Sequence, residues 1–146
     1  MWEYDITKDD THIKVVVEQA DGVTAEKIYE SKYYENAPEI KSETPESGNT
    51  ASGDEWSFNV SCKLENADQK ITSVDLSLDI GYGSFYPNDN VTCALSADGL
   101  SAEIKVNLAN LGGMFFFDGD TFKVKVIVTL ESGLKAEKVF TATYSE

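Results

Sequence analysis

Few side chains in this chain have chemistry to offer. A single histidine, His12, stands without a second imidazole, so any Ser–His–Asp or Cys–His relay would rest on that one ring. The sequence has no Walker loop, no dinucleotide-binding glycine pattern and no zinc-ligand spacing. Carboxylates are abundant, 26 acidic against 12 basic side chains. They are scattered over polar positions, where solvation is the expected state rather than a paired acid and base. No catalytic residue is assigned, and no enzyme activity is expected.

Three groups remain. Asp118-Gly119-Asp120 places two carboxylates in one turn, an oxygen-rich arrangement suited to a hard cation such as calcium, with Asn88 or Asp89 as a further donor. The competing reading is a plain turn whose aspartates bond their own backbone. No other cofactor is implied. Cys62 and Cys93 form either a disulfide, worth about 3–4 kcal/mol by the chain-entropy relation, or two small apolar side chains on the buried parity of their strands. The third group is aromatic: Tyr82, Phe85 and Tyr86 in the segment 81–88, and Phe115 and Phe116, flanked by Met114 and Phe117, in the segment 112–117. Consecutive aromatics cannot all face one core. Those that reach the surface, beside Asn and Asp, suit stacking on a sugar ring or anchoring a protein partner. Otherwise they plug an open end of the fold.

Strands must position these groups. Trp56, Phe58, Val60, Cys62 and Leu64 alternate with polar residues, and the same period of two recurs in four further runs. These are Val74–Ile80, Val91–Leu95, Ala102–Leu108 and Phe122–Leu130. Leu134, Ala136, Phe140, Ala142 and Tyr144 complete the set, with Lys138 breaking the pattern in the manner of a bulge. Turn-forming clusters separate the runs, and no amphipathic stripe lasts three helical turns. The expectation is an all-β, two-sheet antiparallel sandwich. Residues 42–54 read as a long loop or as an edge strand broken at Pro45.

The formal net charge of -14 repels nucleic acid and anionic lipid. No apolar run approaches the roughly 20 residues of a membrane-spanning helix. The start, Met1-Trp2-Glu3-Tyr4-Asp5, lacks the basic and apolar stretches of a secretory signal.

The chain also resembles itself. From the turn glycines onward, GVTAEKIYESKYYE aligns without gaps on GLKAEKVFTATYSE, at Gly22 and Gly133. Before the turns, matching Asp10-Thr11 to Asp120-Thr121 requires one residue of slack and sets His12 opposite Phe122. Residues 1–35 are therefore expected to be a β-hairpin equivalent to the last two strands of a preceding repeat, and residues 36–146 a complete module. A lone hairpin is marginal in water. Its face carrying Trp2, Ile13, Val15 and Val17, with Ile28 and Tyr29, needs a neighbouring module, a subunit or its own sandwich to cover it.

The ending DGDTFKVKVIVTLESGLKAEKVFTATY resembles the last two strands of bacterial immunoglobulin-like and PKD-like modules. These share a Gly-Asp-Thr-aromatic strand, a glycine turn and a closing aromatic strand. The resemblance implies a non-catalytic structural or adhesive domain used in tandem. Its setting would be a bacterial surface or secreted protein, or a phage virion, and it would act through contacts with a protein partner or neighbouring subunit. The alternative function is a carbohydrate-binding module using the loop aromatics. The antibody hallmark is absent, because neither cysteine lies in the penultimate strand, 120–131.

Overall fold

The computed structural model of the chain describes residues 10–32, 36–111 and 117–146, and within the first hairpin the side chains of 13–29. Two compact units are present, Met1–Ala37 and Pro38–Glu146. Trp2, Phe115 and Phe116 lie outside the described residues.

In the first unit, β1 (Asp10–Glu18) pairs antiparallel with β2 (Thr24–Lys32). In the second, β3 (Glu39–Lys41), β5 (Glu55–Leu64), β9 (Ser101–Asn107) and β8 (Val91–Leu95) form one sheet in that spatial order, with the short β6 (Ala67–Asp68) hairpinned onto β5. The other sheet is β4 (Asn49–Ser52), β11 (Lys135–Ser145), β10 (Thr121–Leu130) and β7 (Ile71–Asp79). The first strand is thus split between the sheets. β3 lies antiparallel on β5, the chain crosses through the segment 42–48, and β4 runs parallel to β11. Pro45 has no N–H for a ladder, and Gly48 takes a φ of 81°, so the edge-strand reading of this tract is the one realised. This partition of strands between two packed sheets is immunoglobulin-like.

The core follows the period of two. Along β10, Phe122, Val124, Val126, Val128 and Leu130 are buried, while the residues between them are exposed or half-buried. Phe58 lies against Phe140 across the sheets, centroids 4.5 Å apart, and Trp56 meets Phe122 edge-on at 5.6 Å. Trp56 is only partly buried, and Leu95, near the end of edge strand β8, is exposed rather than part of the core. Leu108 does not extend β9. Asn107 accepts the N–H of Asn110 on its Oδ1 (3.1 Å), capping a single helical turn α1 (Leu108–Leu111), which buries both leucines at the end of the sandwich.

Lys138 does not mark a bulge. The β10–β11 register is unbroken through Val126↔Lys138, so the lysine occupies a core-facing position. Its stem runs past Phe140, and its Nζ emerges at the sheet edge to donate to the Ile40 carbonyl (3.2 Å) and pair with Glu46 (3.0 Å). Replacing Lys138 by Ala is expected to cost about 1–2 kcal/mol, chiefly through lost packing, whereas Met should cost less than half of that because the ion pair is largely solvated. Urea unfolding of the two variants checks this; equal losses would assign the effect to the charge.

Candidate functional site

Pro38 enters beside the end of β5, since Glu39 pairs with Lys63, near the turns at 65–66, 98–99 and 132–133. The chain leaves at the opposite end, where Glu146 donates its N–H to Asp118 Oδ1 (3.0 Å). The loop 81–88 and Phe117 lie at this second end, because the register Lys123↔Asp79 brings the loop after β7 alongside the turn before β10.

Asp79 organises that loop. It is buried, and its Oδ1 accepts the N–H groups of Gly81 (2.9 Å), Tyr82 (3.0 Å) and Gly83 (3.1 Å). The glycines at φ 107° and 83° allow the backbone to wrap the carboxylate. Reciprocal backbone bonds between Leu78 and Tyr86 (2.9 and 3.1 Å) close the loop. Within it the aromatics separate. Tyr82 projects into solvent at 86% exposure, and Tyr86 is 37% exposed. Phe85 folds back half-buried under the Lys125 ammonium, 4.3 Å from its ring centroid. Across the same end Phe117 is 73% exposed. Tyr82 and Phe117 are therefore presented, while Phe85 is engaged with its own sheet. Asp79 was not singled out from the sequence, although Asp-Ile-Gly-Tyr-Gly carries the signal of an aspartate ahead of backbone-permissive residues.

Asp118 and Asp120 each accept a backbone N–H. Asp118 accepts from Glu146, and Asp120 accepts the N–H of Phe117 on Oδ2 (2.9 Å). Asn88 likewise directs its Oδ1 to the backbone N–H and side-chain amide of Asn90. Among the described residues no group of three or more His, Cys, Asp or Glu side chains is placed to hold a metal ion. The backbone bonds of Asp118 and Asp120 are those of the turn reading.

The cysteines are free thiols. Cys93 sits opposite Ile104, which sits opposite Phe58, four positions along β5 from Cys62. Two strand spacings across and about 13 Å along the strand put the pair far beyond the roughly 7 Å limit for a bridge. The disulfide reading gives way to that of two apolar packers, and burial pushes both thiols up in pKa, keeping them protonated at neutral pH. Alkylation of the unfolded, unreduced chain is expected to add two adducts per molecule; none would restore the disulfide. His12 stands opposite Glu30 in the backbone register of the hairpin. Among the described residues, no helix is long and apolar enough to cross a membrane.

No protein-family model matches the chain, and no curated protein matches it. Solved structures do resemble it. A mutant of the SrpA adhesin from Streptococcus sanguinis aligns over 74% of this chain with a TM-score of 0.51 at 13% identity, and the chain spans 57% of that adhesin chain. Domains 4 and 5 of the S-layer protein SbsC align over 91% of this chain and 65% of theirs, with a TM-score of 0.42 and 13% identity. The titin M3 domain aligns over 73% of this chain and 97% of its own, with a TM-score of 0.41 and 8% identity. At such identities the likeness is one of fold. With the strand order it makes residues 38–146 an immunoglobulin-like β-sandwich module.

Proposed function

We propose that the chain is a non-catalytic structural or adhesive module of a bacterial surface or secreted protein, or of a phage virion, acting through protein–protein contacts. One observation carries this reading. The module is entered and left at opposite ends, and its entering strand β4 runs parallel to its leaving strand β11, from Asn49↔Ala142 to Ser145↔Ser52. Tension along the chain loads these ladder bonds together in shear instead of opening them one at a time. Such an arrangement suits a spacer that holds a binding end away from an anchor. The likeness to an adhesin supports the same setting, as does the presentation of Tyr82 and Phe117 at the far end.

Single-molecule pulling tests the reading. Extension through handles at residues 36 and 146 is expected to need a several-fold higher force than extension through handles at 53 and 146, which peels β4 from β11. Equal forces would remove the load-bearing role.

A second reading, carbohydrate binding, is favoured by the exposure of Tyr82 and Tyr86 beside Asn88 and Asp89. Glycan-array screening followed by calorimetry decides it. Millimolar or tighter sugar binding that disappears in Tyr82→Ala and Tyr86→Ala would displace the spacer reading.

A further inference from the structure

The β1–β2 hairpin carries Ile13, Val15, Val17 and Tyr29 between 42% and 57% exposed. The register separates its two faces. Ile13↔Tyr29, Val15↔Lys27 and Val17↔Ala25 share one; Val16 and Ile28 belong to the other, so Ile28 does not join the contact face expected from sequence. The first face repeats, rung by rung, the buried face of β10–β11. There the pairs are Val124↔Phe140, Val126↔Lys138 and Val128↔Ala136. Every position lies 111 residues from its counterpart (124 minus 13, 140 minus 29). The slack needed before the turn in the sequence alignment disappears, and His12 corresponds to Lys123 rather than Phe122.

The correspondence extends beyond residue type. The turn bonds match: Gln19 N–H to Val23 O and Leu130 N–H to Leu134 O are both 2.8 Å, with Gly22 at φ 86° and Gly133 at 88°. Lys27 Nζ lies 5.0 Å from the Tyr29 ring centroid, as Lys138 Nζ lies 5.9 Å from that of Phe140. On the outer face Lys14 pairs with Glu26 (2.7 Å), at the positions of Lys125 and Glu137 (3.9 Å). At that rung of the complete module the Ile40 carbonyl of a neighbouring edge accepts from Lys138, and Lys27 holds the same place in the hairpin register.

We infer that β1–β2 is the terminal hairpin of a second immunoglobulin-like sandwich, and that its Ile13–Val15–Val17–Tyr29 face is covered by the body of a preceding module in the same polypeptide. That body would be the counterpart of β3 to β9. The offset selects a tandem neighbour over a separate chain. The complete unit Pro38–Glu146 is 109 residues long (146 minus 37), so a spacing of 111 sets the hairpin where the end of an abutting module falls. This inference rests on strand register and is independent of the load-bearing role proposed above.

The test supplies the missing body. Residues 36–116 are joined directly ahead of Ile6 of this chain, so that a full sandwich precedes the native one. Amide exchange in β1 and β2 is expected to slow by about a hundredfold or more relative to the chain as it stands. Val15→Asp and Tyr29→Asp in the fusion should return it to the unfused rate, yet leave the Tm of the native module unchanged. A second fusion carrying Thr11→Phe and Ser31→Ala restores the pair found at that rung in β10–β11, in case the borrowed body tolerates the original poorly. Unchanged exchange in both fusions overturns the inference. So does an unfused chain that sediments as a dimer with its hairpin already protected, which would make a second copy the cover.

Discussion

Phe140→Ala is expected to destabilise the Pro38–Glu146 module by about 3–5 kcal/mol, a large share of the 5–15 kcal/mol typical of a whole domain. Phe140 is fully buried and is one of the points where the sheets touch through aromatic rings, 4.5 Å from Phe58. Trp56, 4.8 Å from Phe58 and also in contact with Phe122, extends the same stack. Truncation removes transfer free energy and leaves a cavity that rigid strands on both sides cannot close. Thermal unfolding should shift down by roughly 15–25 °C at this domain size. Phe140→Leu, which keeps most of the volume, should lose under about 1.5 kcal/mol. A loss below about 1 kcal/mol for the alanine variant would mean that the two sheets are not joined through this ring.

Asp79→Ala is expected to cost about 2–3 kcal/mol, since one carboxylate oxygen serves three backbone donors. Asp79→Asn keeps an acceptor oxygen in place and should cost under about 1 kcal/mol. Denaturant unfolding measures both, and amide exchange at 81–83 localises the effect. The alanine variant should accelerate exchange there while the centre of β10 stays protected. Equal costs for Ala and Asn would show that the acceptor atom is not what holds the loop. Because Tyr82 stands on these residues, any partner affinity that depends on it should fall in the alanine variant without Tyr82 being altered.

The interior was legible because alternation along a strand maps directly onto burial. β10 reads out residue by residue, and so does the inner face of β5 apart from the half-exposed Trp56. Where the reading went astray, geometry beyond the strand decided the outcome. Charge on a core position of a strand reads as an irregularity, yet the long Lys138 stem near the sheet edge carries its charge out to Ile40 and Glu46 without one. Leu95 has core parity but is the last residue of an edge strand, where it stays exposed. Leu108 has strand parity too, but Asn107 caps a helical turn there. The cysteine separation depends on register across three strands, which a linear sequence does not encode. At the candidate site, counting aromatics implies that some side chain of the segment 81–88 reaches the surface, but not that it is Tyr82. The capture of Phe85 by Lys125 and the work of Asp79 depend on which loop folds over which strand.

Splitting the first strand between β3 and β4 also limits where the module can stick to others. It leaves three residues at the outer edge of one sheet and four at the outer edge of the other, and the crossing segment between them takes up part of the remaining edge, where Glu46 accepts the Thr141 N–H and Ser42 donates its hydroxyl to the Asn59 carbonyl. The long opposite edge, β7, carries the exposed Asp75, and its Leu78 is already bridged by Tyr86. Closely related domains threaded on one chain are prone to exchanging strands and aggregating while they fold. In the tandem arrangement inferred above, such blunted borders would keep neighbouring modules from exchanging strands.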